Sequence, residues 1–174
     1  MEFFRDGAKT YVLFLATLLT GLLAGVFFTW TNAITPGIGR LNDLGYLQAF
    51  QQMNKTILNP LFYVVIIGPL ILTFVVSYLY KASHRYVFRL LLASAIIYFS
   101  GVFLITKFGN IPLNEMLDNT KLTDISLGDA KNLRNRFENN WNNLHLIRTI
   151  SSSTSFFLLI LACLFRNDHI IKIN

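Results

Sequence analysis

The sequence predicts an all-α, four-helix transmembrane bundle with short amphipathic helices on its extracytoplasmic side. Three observations carry that prediction. The 174 residues are 53% hydrophobic and 14% charged, with a mean hydropathy of +0.50, whereas a soluble domain carries about 25% charge. Four intervals lack Asp, Glu, Lys, Arg and His and are apolar enough to cross a bilayer, which takes about 20 residues of helix. Lys and Arg cluster in alternate connections between those intervals. The same composition excludes a disordered chain. The net charge of +6 comes from fifteen Lys and Arg scattered between apolar runs, so it reads as membrane topology and not as a nucleic-acid surface. A single cysteine, Cys163, rules out an intrachain disulfide, a CxxC pair and a Cys-rich metal site.

The intervals lie within Thr10 to Gly39 and Thr56 to Tyr80, and from Leu90 to Thr106 and Thr149 to Phe165; the spans are expected at about 11–34, 59–80, 88–107 and 146–165 of one integral membrane domain covering 1–174. The last two intervals hold 17 residues each between charges, roughly 26 Å of helix, which brings Arg89, Lys107, Arg148 and Arg166 to the interfaces with their stems reaching outward. The first span follows Arg5 and Lys9, but it is longer than a signal-peptide apolar region and no A-x-A site follows, so it is read as a retained helix. Gly21 and Gly25 in span one, Gly68-Pro69 in span two and the hydroxyl run from Ser151 to Ser155 in span four read first as helix-packing features, with a Pro-induced kink expected in span two.

Positive charge sets the orientation. The N-terminal tail (Arg5, Lys9), the connection after span two (Lys81, Arg85, Arg89) and the C-terminal tail (Arg166, Lys172) are dense in it. The two longer connections are sparse in it or offset by acids. A plasma (inner) membrane protein with both termini cytoplasmic is therefore expected.

The longer connections carry the polar constellation. After Trp30, a cluster through Pro36, Gly37 and Gly39 is expected to break the helix. Asp43 then caps an amphipathic helix bearing Leu44, Leu47, Phe50 and Met53, ending near Asn59-Pro60, where proline suits the first turn of span two. In the second connection, Gly109-Asn110-Ile-Pro112 reads as a turn, with Asn114 as N-cap of a short helix. From Asp129 a helical pattern runs into span four and places Arg134, Glu138, Trp141, His145 and Arg148 on one stripe. An exposed Arg134–Glu138 pair is an ordinary solvated feature. His145 and Arg148 lie within a turn of hydrocarbon, where an ionisable group needs a partner or a wet cavity. Asn54, Asn110 and Asn114 have structural readings as caps or turn residues. Glu115 is either a first-turn acid or a buried partner of Arg148. Trp30 and Trp141 are either interfacial anchors or walls for a flat ligand.

With His84 and His169 expected on the opposite side from His145, a two-histidine metal site including His145 is excluded within one chain, and a His145–Glu115 site is sparse. No Walker loop, dinucleotide glycine fingerprint or HExxH is present.

The ordered set Gly25-Val-Phe-Phe-Thr-Trp30-Thr-Asn32, Pro36-Gly37, Met53-Asn54, Asn59-Pro60, Gly109-Asn110-Ile-Pro-Leu-Asn114, and Trp141 with His145-x-x-Arg148-Thr149 resembles the anthrone oxygenase-like family of small integral membrane proteins, over about Gly21 to Phe165. Leu144 departs from the pattern, standing where an aromatic is expected before the histidine. The resemblance implies oxidation of a lipophilic anthrone- or phenol-like aromatic, with molecular oxygen as co-substrate and no metal or prosthetic group. Joined to the residue chemistry, it makes His145 the expected base, Arg148 with Asn110 and Asn114 the groups that hold the oxyanion, and Trp30 and Trp141 the walls. Asn32, Asn54 and Glu115 complete the expected substrate-binding set.

The partners so implied are the bilayer and a lipophilic aromatic small molecule, with a homo-oligomer compatible and no nucleic acid. The competing reading is a non-catalytic membrane subunit that recognises a lipid or protein partner, and a metal- or haem-dependent oxidase is the third.

Overall fold

The computed structural model describes residues 2–82 and 84–166. The side chain of Arg5, together with His169 and Lys172, lies outside the described residues. Among those described there are helices and no strands, and four helical stretches are long and apolar enough to cross a membrane: Gly7–Ile38, Pro60–Tyr80, Arg85–Asp118 and Leu127–Phe165. The chain is a multi-pass membrane protein.

Helix α1 (Glu2–Thr29) runs directly into a π-helical segment, Trp30–Ile34, and then into α2 (Thr35–Ile38). The expected break after Trp30 is therefore absent. Pro36 sits in the first turn of α2, where its missing N–H has little effect, and the wider π turn absorbs the irregularity. The chain turns only beyond Ile38, and Asn42 then caps α3 (Asp43–Ile57) by accepting the Gly45 N–H at 2.8 Å. The cap is thus Asn42, with Asp43 the first helical residue. Helix α4 (Pro60–Tyr80) starts on proline behind the Asn59 cap and stays helical across Pro69. Helix α5 (Arg85–Tyr98) continues through π-helical segments Phe99–Leu104 and Thr106–Asn110 into α6 (Ile111–Asp118). The turn expected at Gly109-Asn110 is replaced by π-helix, so Asn114 lies inside α6 and is no cap. Ser126 caps α7 (Leu127–Phe165), a single helix of 39 residues.

The four long helices form a closed ring: α1 packs on α4 and α7, and α5 packs on α4 and α7. Small residues permit the close approaches. A Cβ at Gly21 would stand 2.7 Å from the Phe156 ring, one at Gly68 would stand 2.6 Å from Leu19, and one at Gly101 would collide with Ser151. Gly25 has nothing within that range, so only half of the small-residue pair serves packing. Ser94 and Ser155, both fully buried, join α5 to α7 through a 2.8 Å hydroxyl contact. These contacts bear out the packing reading for Gly21 and part of the serine run.

At one end of the ring, α3, α6 and the first half of α7 build a second apolar core from Tyr46, Phe50, Leu117, Phe137, Trp141 and their neighbours. Arg134 fastens this cap. Its guanidinium donates to the Gly39 and Leu41 carbonyls at 2.8 and 2.9 Å, pairs with Glu138 and Asp43, and covers the Tyr46 ring. Gln51 donates to the Leu117 and Thr120 carbonyls, satisfying acceptors that the end of α6 leaves open.

Candidate functional site

Between the cap and the ring lies a cavity of about 430 Å³, inside the roughly 300–1,000 Å³ range of small-molecule sites. Its wall is mainly apolar and aromatic: Phe27 and Trp30 from the first helix, Phe50 from α3, Phe62 and Ile66 from α4, Phe103 from the π segment and Trp141 from α7. The charged residues in its wall are Lys107 and Arg148, and no carboxylate lines it. A longer groove of about 1010 Å³ runs along α1 past Gly21, Gly25 and Phe156, away from the histidine.

The helical stripe on α7 brings Trp141, His145 and Arg148 to the cavity together. Trp141 and His145 stack one turn apart, with centroids at 4.7 Å and planes at 15°. His145, 2% exposed, has both ring nitrogens engaged: Nε2 lies 3.2 Å from the Phe27 carbonyl oxygen and Nδ1 lies 2.8 Å from Arg148 Nη2. A guanidinium can only donate, so Nδ1 accepts and Nε2 carries the hydrogen given to Phe27. The Phe27 carbonyl, which also takes a hydroxyl from Thr149 at 3.4 Å, lies just before the helical ladder widens into the π segment at Trp30.

Arg148, 6% exposed, is clasped between the Phe27 and Trp141 rings, with its guanidinium carbon 4.8 and 5.2 Å from their centroids. Its other polar contact is a long one, 3.4 Å from Nη1 to the Thr106 hydroxyl, and its Nε–H has no acceptor among the described residues. The pairing of Arg148 with Glu115 is not formed. Glu115 is exposed, because the unbroken helix through α6 turns it away, and His145 takes its place.

Of the other expected site residues, Trp30 lies in the wall 5.6 Å from the Trp141 ring, and Asn114 accepts the Trp141 indole N–H at 2.7 Å. Asn54 reaches the wall and donates to Asp118 at 2.5 Å. Asn110 is fully buried behind the wall, donating to the Trp141 carbonyl at 3.3 Å while its side-chain oxygen has no partner among the described residues. Asn32 is exposed and outside the cavity lining. Leu144 turns to the far side, packing on Gly109, where a Cβ would stand 2.9 Å from it. Sequence reasoning missed Phe27, Phe50, Phe62 and Thr106. Aromatics inside apolar runs look the same whether they face lipid or a cavity, and only the polarity of Thr106 beside Lys107 marked that position.

Among the described residues no group of three or more His, Cys, Asp or Glu gathers in a way that could hold a metal ion. A family model described as anthrone oxygenase matches residues 60–158, more than half of the chain. The chain belongs to the anthrone oxygenase family. The matched stretch runs from the start of α4 into the second half of α7 and includes Asn110, Asn114, Trp141, His145 and Arg148, while Trp30 and Asn54 precede it. Neither a curated protein nor a solved structure matches the chain.

Proposed function

We propose that this protein is a membrane-embedded oxygenase that takes a lipophilic anthrone- or phenol-like aromatic from the bilayer, with O₂ as co-substrate and Arg148 holding the substrate oxygen as an anion. The supporting observation is the guanidinium itself, buried in an aromatic cavity with no carboxylate partner among the described residues and with an unused Nε–H. A buried cation without an anion is costly, and a ligand that develops negative charge on oxygen supplies what is missing.

The chemistry follows from the aromatic. An anthrone C–H lies between two rings and opposite a carbonyl, so its loss as a proton leaves a phenolate-like anion with its charge at the oxygen nearest Arg148. That anion gives electrons to O₂ and forms a C–O bond, and the peroxide so made is protonated. Loss of the remaining hydrogen on that carbon together with hydroxide yields the quinone carbonyl and one water. Both hydrogens end in that water, and O₂ is the oxidant throughout. In this reading His145 receives the first proton and returns it to the departing oxygen. The substrate rings pack on the aromatic lining to which Trp30, Phe62 and Phe103 contribute, with Trp141 holding His145 and Arg148 behind it.

The orientation belongs to the same proposal. Lys81, Arg85 and Arg89 lie at the end of the bundle opposite the cap, which supports cytoplasmic termini in a plasma membrane and a cavity near the outer face. An aromatic cavity of small-molecule size beside His145 and Arg148 also favours catalysis over a purely structural subunit.

Oxygen uptake by purified protein in lipid nanodiscs, with anthrone as substrate, tests the proposal. The wild type is expected to consume O₂ and release anthraquinone, and Arg148→Met to lower kcat/KM by about 10²–10³-fold, the scale of losing an oxyanion donor. Equal rates in the two proteins contradict it.

A further inference from the structure

We infer that Arg148 is a substrate-operated cover over His145, which exposes the imidazole lone pair only when a ligand oxygen draws the guanidinium away. This rests on the oxygenase reading and adds a condition to it. The His145 ring is fixed: it stacks on Trp141, meets the Phe27 ring edge-on at 5.2 Å, and gives its Nε2 hydrogen to the Phe27 carbonyl. The only lone pair left for a proton is on Nδ1, and Arg148 Nη2 occupies it at 2.8 Å. In this arrangement His145 takes no proton from anything.

No anion among the described residues holds the cover. Beyond His145, the guanidinium has a 3.4 Å contact to Thr106 and two ring faces, and its Nε–H is unused. A phenolate or enolate oxygen makes charge-assisted hydrogen bonds to arginine, which are stronger than one to a neutral imidazole. A neutral ligand oxygen in the cavity enters at the unused Nε–H and shares the guanidinium with His145, and the stronger bonds made as the anion forms carry Arg148 off Nδ1. The ligand's proton passes to Nδ1, leaving an anion on Arg148 and an imidazolium beside it. The three groups carry one positive charge before the transfer and one after, so no net charge enters the membrane domain.

The device selects its ligand. A molecule must offer an oxygen for Arg148 and an acidic hydrogen for His145 together, and a ring system with its hydroxyl blocked as a methyl ether gives His145 no proton.

A hydroxyanthraquinone is a suitable probe, since it carries both features without an oxidisable C–H, and its visible band moves to longer wavelength on ionisation. Protein labelled with ¹⁵N-histidine in nanodiscs is titrated with the probe, and His145→Asn identifies the His145 signals. Without probe, one His145 nitrogen is expected to carry hydrogen. With probe, both nitrogens carry hydrogen and the long-wavelength band appears, and the band is lost in His145→Asn, which keeps an acceptor for Arg148 but no base. The methyl ether is expected to leave one His145 nitrogen bare. A long-wavelength band with His145 still singly protonated overturns the cover while sparing Arg148 as the anion holder. Failure of the probe to bind at all removes the oxygenase reading and the cover together. Should His145→Asn not fold, the wild-type nitrogen spectra decide the question alone.

Discussion

The indole N–H of Trp141 donates to the side-chain oxygen of Asn114 at 2.7 Å, and the same indole stacks on His145. One hydrogen bond thus links α6 to the face of α7 against which Arg148 and His145 are held. Its position depends on the π segment Thr106–Asn110, which carries the helix past Pro112 without a turn and keeps Asn114 on the cavity side.

Asn114→Ala removes the acceptor and leaves the Trp141 N–H, in a buried residue, without a partner. A cost of about 1–3 kcal/mol is expected, read as a lower midpoint in thermal unfolding of the purified protein. Asn114→Asp keeps an acceptor and is expected to recover most of the binding of a hydroxyanthraquinone, whereas Asn114→Ala is expected to weaken it. Unchanged stability and binding in Asn114→Ala count against this role.

Gly101 faces Ser151 where α5 meets α7, with no room for a methyl group. Gly101→Ala is expected to cost about 1–3 kcal/mol, as overpacking does. Adding Ser151→Gly opens the space, so the double variant is expected to unfold at a higher temperature than Gly101→Ala alone. A double variant less stable than the single one contradicts the packing account.

Tyr46 tests the cap. Burial, and then the nearby Glu138 carboxylate, hold its phenol well above the ordinary range, while Arg134 works in the other direction. Its hydroxyl has no partner among the described residues. The folded chain therefore keeps a proton that the unfolded chain releases above about pH 10, so stability is complete below that pH and falls as pH rises beyond it. Tyr46→Phe is expected to flatten this alkaline loss without lowering the unfolding midpoint at neutral pH. An alkaline stability profile identical in the two proteins contradicts the assignment.

The four membrane helices were legible because hydrocarbon tolerates few charges, and the α7 stripe because one uninterrupted helix preserves its period from Arg134 to Arg148. The helices through Pro36-Gly37 and Gly109-Pro112 were not legible. Local breaker rules read those residues as turns, while π-helical turns and prolines in first-turn positions keep the chain helical. That one misreading misplaced both Asn114, taken for a cap, and Glu115, offered as the partner of Arg148. The true partner, His145, was on the same stripe three residues away, but spacing alone does not reveal which nitrogen a guanidinium will cover.

The most direct test is a structure of the protein in a lipid nanodisc with an anthraquinone-type ligand bound. The account predicts the ligand in the cavity lined by Trp30, Phe62 and Trp141, with an oxygen within hydrogen-bonding distance of the Arg148 guanidinium. A ligand seated only in the groove along α1, with Arg148 still on His145, contradicts it.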